Sequence, residues 1–223
     1  STGCAGVSPL FTIKVVCGAE LNLKVWLEGY CLPAPFSGTM APAWTNQQRT
    51  DLGNGNMGTP TGNEADLVMV ELYDGSSMLQ YSDSVMIMTD GTGTMSLPSG
   101  ASGNSYYILI KHRSHLQLRS LGQVTMGASV SYDFTTSDTQ ADNNGSNTSM
   151  IQLANGDWAM WAGDVSQDGF VSGDDVGLTD NDNLAGLAFD YISTDITGDG
   201  FASGDDVGLV DNNNLLGIYY LFP

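Results

Sequence analysis

A near-duplicate segment in the C-terminal half constrains this chain more than any other feature. Gly163–Gly186 aligns without gaps to Thr194–Gly217 at an offset of 31 residues, with 16 of 24 positions identical. Two copies are too few for a solenoid, which needs several stacked units, so the reading is a pseudo-twofold pair packed on each other. Each copy opens on a twelve-residue pattern of oxygen-bearing side chains. The first runs Asp164, Ser166, Asp168, Gly169, Phe170, Ser172, Asp175; the second runs Asp195, Thr197, Asp199, Gly200, Phe201, Ser203, Asp206.

That spacing has a chemical meaning. Calcium takes roughly six to eight hard oxygen ligands, and positions 1, 3 and 5 of a tight loop point to one centre. Glycine at position 6 permits the positive φ that reverses the chain, and the carbonyls of Phe170 and Phe201 supply an oxygen at position 7. Asp175 and Asp206 would close each sphere from the first turn of the following helix, with Ser172 and Ser203 as further ligands. Two Ca2+ ions are expected. Each loop carries three acids instead of four or five, which suits an extracellular calcium supply.

Charge agrees with this reading. The net charge is −19, and residues 120–223 contain sixteen Asp with no Lys or Arg. All six basic residues lie in the first 119 positions. A basic nucleic-acid face is excluded, an anionic membrane surface would repel the chain, and no apolar run reaches the length of a transmembrane helix.

Ahead of the repeat the pattern is β. Short apolar or alternating runs at Leu10–Val16, Leu21–Leu27, Leu67–Tyr73, Ser84–Thr89, Thr94–Leu97, Ser105–Lys111, Gln117–Val124 and Ala128–Phe134 are separated by Gly, Asn, Asp, Ser and Pro. This predicts a mainly β chain, an immunoglobulin- or transthyretin-like sandwich over 18–134, with a small α tail. The division expected is an N-terminal strand or arm over 1–17, the sandwich with a long loop at 31–63, a linker at 135–149, and a calcium-binding unit over 150–223. Val176, Leu178, Leu184, Val207, Leu209 and Leu215 are expected to pack the two helices together, with Asp180, Asp182 and Asp211 on the solvated side.

The repeat resembles dockerin type I modules, whose duplicated loop–helix units dock onto cohesins. Trp158–Val165 with the loops behind it, preceded by Tyr132-Asp133-Phe134-Thr135 and by the Tyr107–Leu116 stretch, is similar to secreted surface proteins of Bacteroidota-like bacteria. Those proteins join such a sandwich to a dockerin-like tail, and the likeness spans roughly residues 65–223. It implies a cell-surface or extracellular setting and a cohesin-like partner. The chain departs from cellulosomal dockerins in that both copies read Ser-Gly-Asp-Asp after the Gly-Phe step, with no Lys or Arg following.

Other features point to no chemistry. Gly53–Gly58 spells G-x-G-x-x-G but follows no strand and opens no helix. His112 and His115, three apart, would face opposite ways on a strand and share a metal poorly, so a loop edge with hydrogen-bonded or solvated imidazoles is the expectation. No hydrolase, zincin or phosphate-loop motif occurs, so no enzyme is expected. Cys4, Cys17 and Cys31 make an odd set, leaving one thiol free or bonded to a neighbour. Asn144 and Asn147 fit N-glycosylation sequons, and Ser84 fits a short bacterial O-glycosylation pattern.

The functional expectation is an extracellular structural protein, a calcium-rigidified subunit of a surface fibre or adhesive stalk. Val7–Val16 would donate a strand to the next copy, giving a homopolymer, and the apolar terminus Leu215–Pro223 would need something to pack on. The alternative is a binding module for a cohesin-like protein or a carbohydrate.

Overall fold

The computed structural model describes residues 6–7, 12–13, 18–31, 35–43, 62–143, 149–188 and 191–221. Most of the expected β runs form strands. Alternation in β3 (Ala19–Lys24) turns Ala19, Leu21 and Leu23 inward, and in β6 (Thr92–Leu97) it turns Gly93, Met95 and Leu97 inward. These two strands pair antiparallel, and β10 (Val130–Asp133) adds parallel to β3. The second sheet has the order β5 (Leu79–Met88), β4 (Glu64–Tyr73), β7 (Ser105–His112), β8 (His115–Arg119), and β9 (Val124–Thr125) also pairs with β7. Leu21, Leu23, Met95 and Leu97 from the first sheet share one core with Val68, Val70, Leu72, Ile87, Ile108 and Ile110 from the second. The chain is therefore mainly β, two sheets closed on a common interior, followed by two helices.

At the N-terminus, β1 (Gly6–Val7) pairs antiparallel with β2 (Thr12–Ile13). Val7 thus pairs with Thr12 inside the segment expected to be one strand over Val7–Val16, and residues 8–11 lie outside the described residues. The remainder of the expected Leu10–Val16 strand, together with Cys4 and Cys17, lies outside the described residues. Cys31 is buried as a free thiol that donates to the carbonyl of Leu27 at 3.2 Å, and burial pushes its pKa up.

The expected linker is held down where it is described. Phe134, Thr135 and Ala141 are buried, Ser120 bridges Ala141, and the hydroxyl of Tyr132 donates to the carbonyl of Gln140. Residues 144–148, with both sequons, are outside the described set. Beyond them β11 (Met150–Gln152) and β12 (Trp158–Met160) form a hairpin that the sequence reading missed. Met150, Ala159 and Met160 enter the sandwich core, and Leu27 bridges Met160 in parallel. The long loop contributes as well: Phe36, Met40 and Ala43 are buried.

The C-terminal unit contains α1 (Gly173–Ala185) and α2 (Gly204–Asn214). Its two halves exchange their ends. Phe170 bridges Tyr219 and Phe201 bridges Ala188, partners that are themselves 31 residues apart, so the repeat offset reappears as a twofold relation in space. The apolar terminus packs on the outer face of the second sheet, where Ile218 and Tyr220 meet Leu109, Leu116 and Trp161.

Candidate functional site

Each loop has the same backbone shape. At position 4 the residue has positive φ, Gln167 at 60° and Gly198 at 76°; at position 6 it is Gly169 at 88° and Gly200 at 93°. The carboxylate at position 1 accepts from the N–H at position 6, Asp164 from Gly169 and Asp195 from Gly200, both at 3.2 Å. At position 5, Asp168 and Asp199 each accept from the N–H two residues on, at 2.9 Å. At position 12, Asp175 accepts from the N–H of Ser166 and Asp206 from that of Thr197, each at 2.9 Å.

Position 9 has another duty. Ser172 and Ser203, expected as ligands, are the N-caps of α1 and α2, with Asp175 and Asp206 completing a capping box in each. Their hydroxyls accept from the second N–H of the helix and donate to the position-12 carboxylate, at 3.1 Å in the first loop and 2.9 Å in the second. The S-x-x-D spacing is itself a capping signature, so this role was legible in the sequence.

Among the described residues no group of three or more His, Cys, Asp or Glu side chains stands at metal-holding geometry. Asp168 and Asp199 turn outward onto their own turns. The donor set nevertheless fits a hard cation. Asp164 and Asp175 are buried in one loop and Asp195 and Asp206 in the other. Burial, then the neighbouring charges of Asp175 and Asp168, pushes Asp164 up to about 7. At position 3 of the second loop the Thr197 hydroxyl oxygen is buried with no hydrogen-bond partner. A divalent ion would relieve both conditions. Asp164, Ser166, Asp168, the Phe170 carbonyl and Asp175 would hold one ion; Asp195, Thr197, Asp199, the Phe201 carbonyl and Asp206 would hold the other.

The helices do not bury the leucines expected to join them. Leu178, Leu184 and Leu215 are 46%, 77% and 76% exposed, and Leu216 is 62% exposed. The inward stripe is set by the position-12 carboxylate: Asp175 and Thr179 on α1, and Asp206, Val210 and Asn213 on α2. Leu184 and Leu215 each follow that anchor by nine positions, about half a turn round, and so fall on the open side, while Leu178, three positions on, stands at the edge of the inward stripe. Val210 packs with Ala162, Val165, Val171 and Ile196 beneath, and Val176 and Leu209 lean on this cluster. Of the three expected solvated acids, Asp182 is half-buried and accepts from the Thr194 hydroxyl at 2.7 Å.

The second loop is seated on the sandwich through a polar hub that the sequence reading did not anticipate. Asp66 is fully buried and accepts from the hydroxyls of Tyr30 and Tyr191, the latter at 2.8 Å. Arg113 Nε lies 3.2 Å and His112 Nε2 3.3 Å from its Oδ2. Burial opposes ionisation of Asp66, but Arg113, His112 and Tyr30 more than offset it and hold the carboxyl well below the usual range. Arg113 also donates to the Ile192 carbonyl and the Tyr30 hydroxyl, and lies over the Tyr191 ring at 4.6 Å. One signal was available. Asp66 shares strand parity with Val68, Val70 and Leu72, an acid on the apolar face of a strand.

His112 and His115 are not on opposite faces of one strand. They flank the turn between β7 and β8 and pair across it, with their Nδ1 atoms 2.9 Å apart. The Ser114 hydroxyl is 3.1 Å from His115 Nδ1. Asp66, His112 and Ser114 thus form an acid–imidazole–hydroxyl chain, but Asp66, Ser114 and His115 are 0% exposed, leaving no approach for a substrate. Burial, then His112 and Arg113, holds His115 well below its ordinary value.

A second buried acid joins the two parts. Glu28 accepts from the N–H of Ala162 and the side-chain amide of Asn213, both at 2.8 Å. Burial pushes it up from 4.5 to about 7 against these hydrogen bonds. Between those values the unfolded chain is ionised while the folded chain still holds the proton, so this group's contribution is greatest below pH 4.5 and declines until about 7. The loss amounts to about 3 kcal/mol. Glu28→Gln should therefore gain stability over wild type as pH rises from 5 to 8, read from urea unfolding at each pH. A difference that stays flat with pH would contradict this.

Neither a protein-family model nor a curated protein sequence matches the chain. Solved structures similar to it include two interface mutants of a type II Cohesin-X-Dockerin complex from Acetivibrio cellulolyticus. They share 15% and 14% identity, with TM-scores of 0.46 and 0.43, each over 88% of this chain and 95% of the other. Similarity at this level assigns neither family nor function.

Proposed function

We propose that this chain is a calcium-stabilised, non-enzymatic module that docks onto another protein outside the cell, through the helical face of its C-terminal unit. The observation that carries this reading is the set of outward leucines, Leu178, Leu184, Leu215 and Leu216, on a unit with no basic residue. Exposed leucines grouped on one small unit mark a contact surface. The surrounding acids (Asp174, Asp180, Asp205 and Asp211) select a partner whose apolar face is rimmed by Lys or Arg. The resemblance of the repeat to dockerin modules makes a cohesin-like protein the first partner to try. Bound Ca2+ would supply the positive charge that lets the loop carboxylates crowd together and fix both helices.

The filament reading draws less support from the fold. Ile218 and Tyr220 of the apolar terminus are covered by the chain's own sheet, and Gly6–Val7 pairs with Thr12–Ile13 at the segment expected to be donated. A carbohydrate reading keeps one specific observation. A polar cleft of about 350 Å3 is lined by Tyr81 and Tyr106 with Asp74, Gln80, Asn104 and Ser105, a lining suited to a neutral polyhydroxylated ligand.

The test is titration of the full chain against a panel of cohesin-like domains in calcium. Leu184→Asp with Leu215→Asp should weaken binding at least a hundredfold while leaving the melting temperature within a few degrees. Chelation should abolish binding and lower that temperature. Equal binding by the double variant, or no binding to any member of the panel in calcium, would overturn the docking reading.

A further inference from the structure

We infer that the two loops take up calcium in order, the first tightly and the second weakly, because Arg113 of the sandwich stands beside the second as a built-in counter-charge. This rests on the calcium reading above. The loops carry matched donor sets, three Asp each with one hydroxyl and one carbonyl, on the same hydrogen-bonded frame. Their own chemistry gives no reason for unequal affinity. Their surroundings do.

Arg113 Nη2 lies 3.7 Å from Asp195 Oδ2, the position-1 carboxylate of the second loop. The guanidinium cannot swing away when a cation arrives. Asp66 holds its Nε, the Tyr30 hydroxyl accepts from its Nη2 at 2.7 Å, the Ile192 carbonyl accepts from its Nη1, and the Tyr191 ring lies beneath it. A divalent ion entering this loop meets a fixed positive charge in a half-buried setting, where repulsion is weakly screened. Among the described residues the first loop has no such neighbour, and no ion pair reaches Asp164, Asp168 or Asp175. Arg113 meets that loop only through its carbonyl, 3.5 Å from the Gln167 side-chain amide.

The consequence is a division of labour. At low calcium the first loop is filled and the second is held by Arg113, so the C-terminal unit stays seated on the sandwich. At high calcium the second loop fills against the repulsion of Arg113, which stays in place.

Calorimetric titration of the full chain with Ca2+ tests this. Wild type should show two steps separated at least tenfold in affinity. Asp164→Asn should retain only the weak step and Asp195→Asn only the tight one. Arg113→Gln should bring the two affinities within threefold, whereas Arg113→Lys should keep them apart. Should Arg113→Gln fail to fold, the two loop variants still decide the order. Two equal steps in wild type, or a tight step surviving Asp164→Asn, would overturn the ordering. An absence of any binding heat would sink the calcium reading itself.

Discussion

Asp66→Asn is expected to destabilise the protein by about 3–5 kcal/mol, because it strips the negative charge from a buried ionic hub without removing the cation it serves. Arg113 would keep its guanidinium in place with Asp195 as its remaining close carboxylate, and the Tyr30 and Tyr191 hydroxyls would lose a charged acceptor. The pH dependence separates this effect from that of Glu28. Asp66 is held well below its unfolded value of 3.8, so its stabilising contribution is complete above that value and fades only as pH falls through the lower folded one. The penalty of Asp66→Asn should therefore be undiminished between pH 8 and pH 5, while that of ionised Glu28 shrinks over the same interval. Urea unfolding at pH 5 and pH 8 reads both. A loss below about 1 kcal/mol would mean that the hub does not hold the two parts together.

What could be read from the sequence was what repeats over short distances. Strands with alternating apolar residues were legible because one face is buried, and the twin loops because five oxygen-bearing side chains recur at fixed spacing. Orientation was harder. Leu178, Leu184 and Leu215 were assigned to the helix interface because leucine is usually buried, whereas the register is set by Asp175 and Asp206, whose carboxylates tie back into the loops. The histidines do sit hydrogen-bonded at a loop edge, as expected, but their link to each other across the turn and to Asp66 was not legible. The partners of the polar hub were hidden for a different reason. Asp66 finds Tyr191 across 125 residues and Glu28 finds Asn213 across 185, and no local pattern encodes partners so distant.

Gly198→Ala is expected to cost about 2–5 kcal/mol, and the cost comes from docking more than from the loop itself. The backbone there has φ of 76°, a conformation that costs a residue with a Cβ about 1 kcal/mol. The methyl would also lie 2.6 Å from the Tyr30 ring and 2.5 Å from the Ala43 methyl, overpacking worth roughly 1–3 kcal/mol more. Gln167 occupies the same position of the first loop at φ 60° and already bears a side chain, which is exposed. Gln167→Gly is thus the matched control, relieving left-handed strain for a change within about 1 kcal/mol. The same seat is tight from the other side, since a Cβ on Gly29 would collide with the Ile196 carbonyl. If docking holds the second loop, Gly198→Ala in saturating calcium should lower the unfolding midpoint and split the transition, with the C-terminal unit melting first. A single transition at the wild-type midpoint would mean that the second loop does not rest on Tyr30, and the coupling of Arg113 to Asp195 would lose its structural basis.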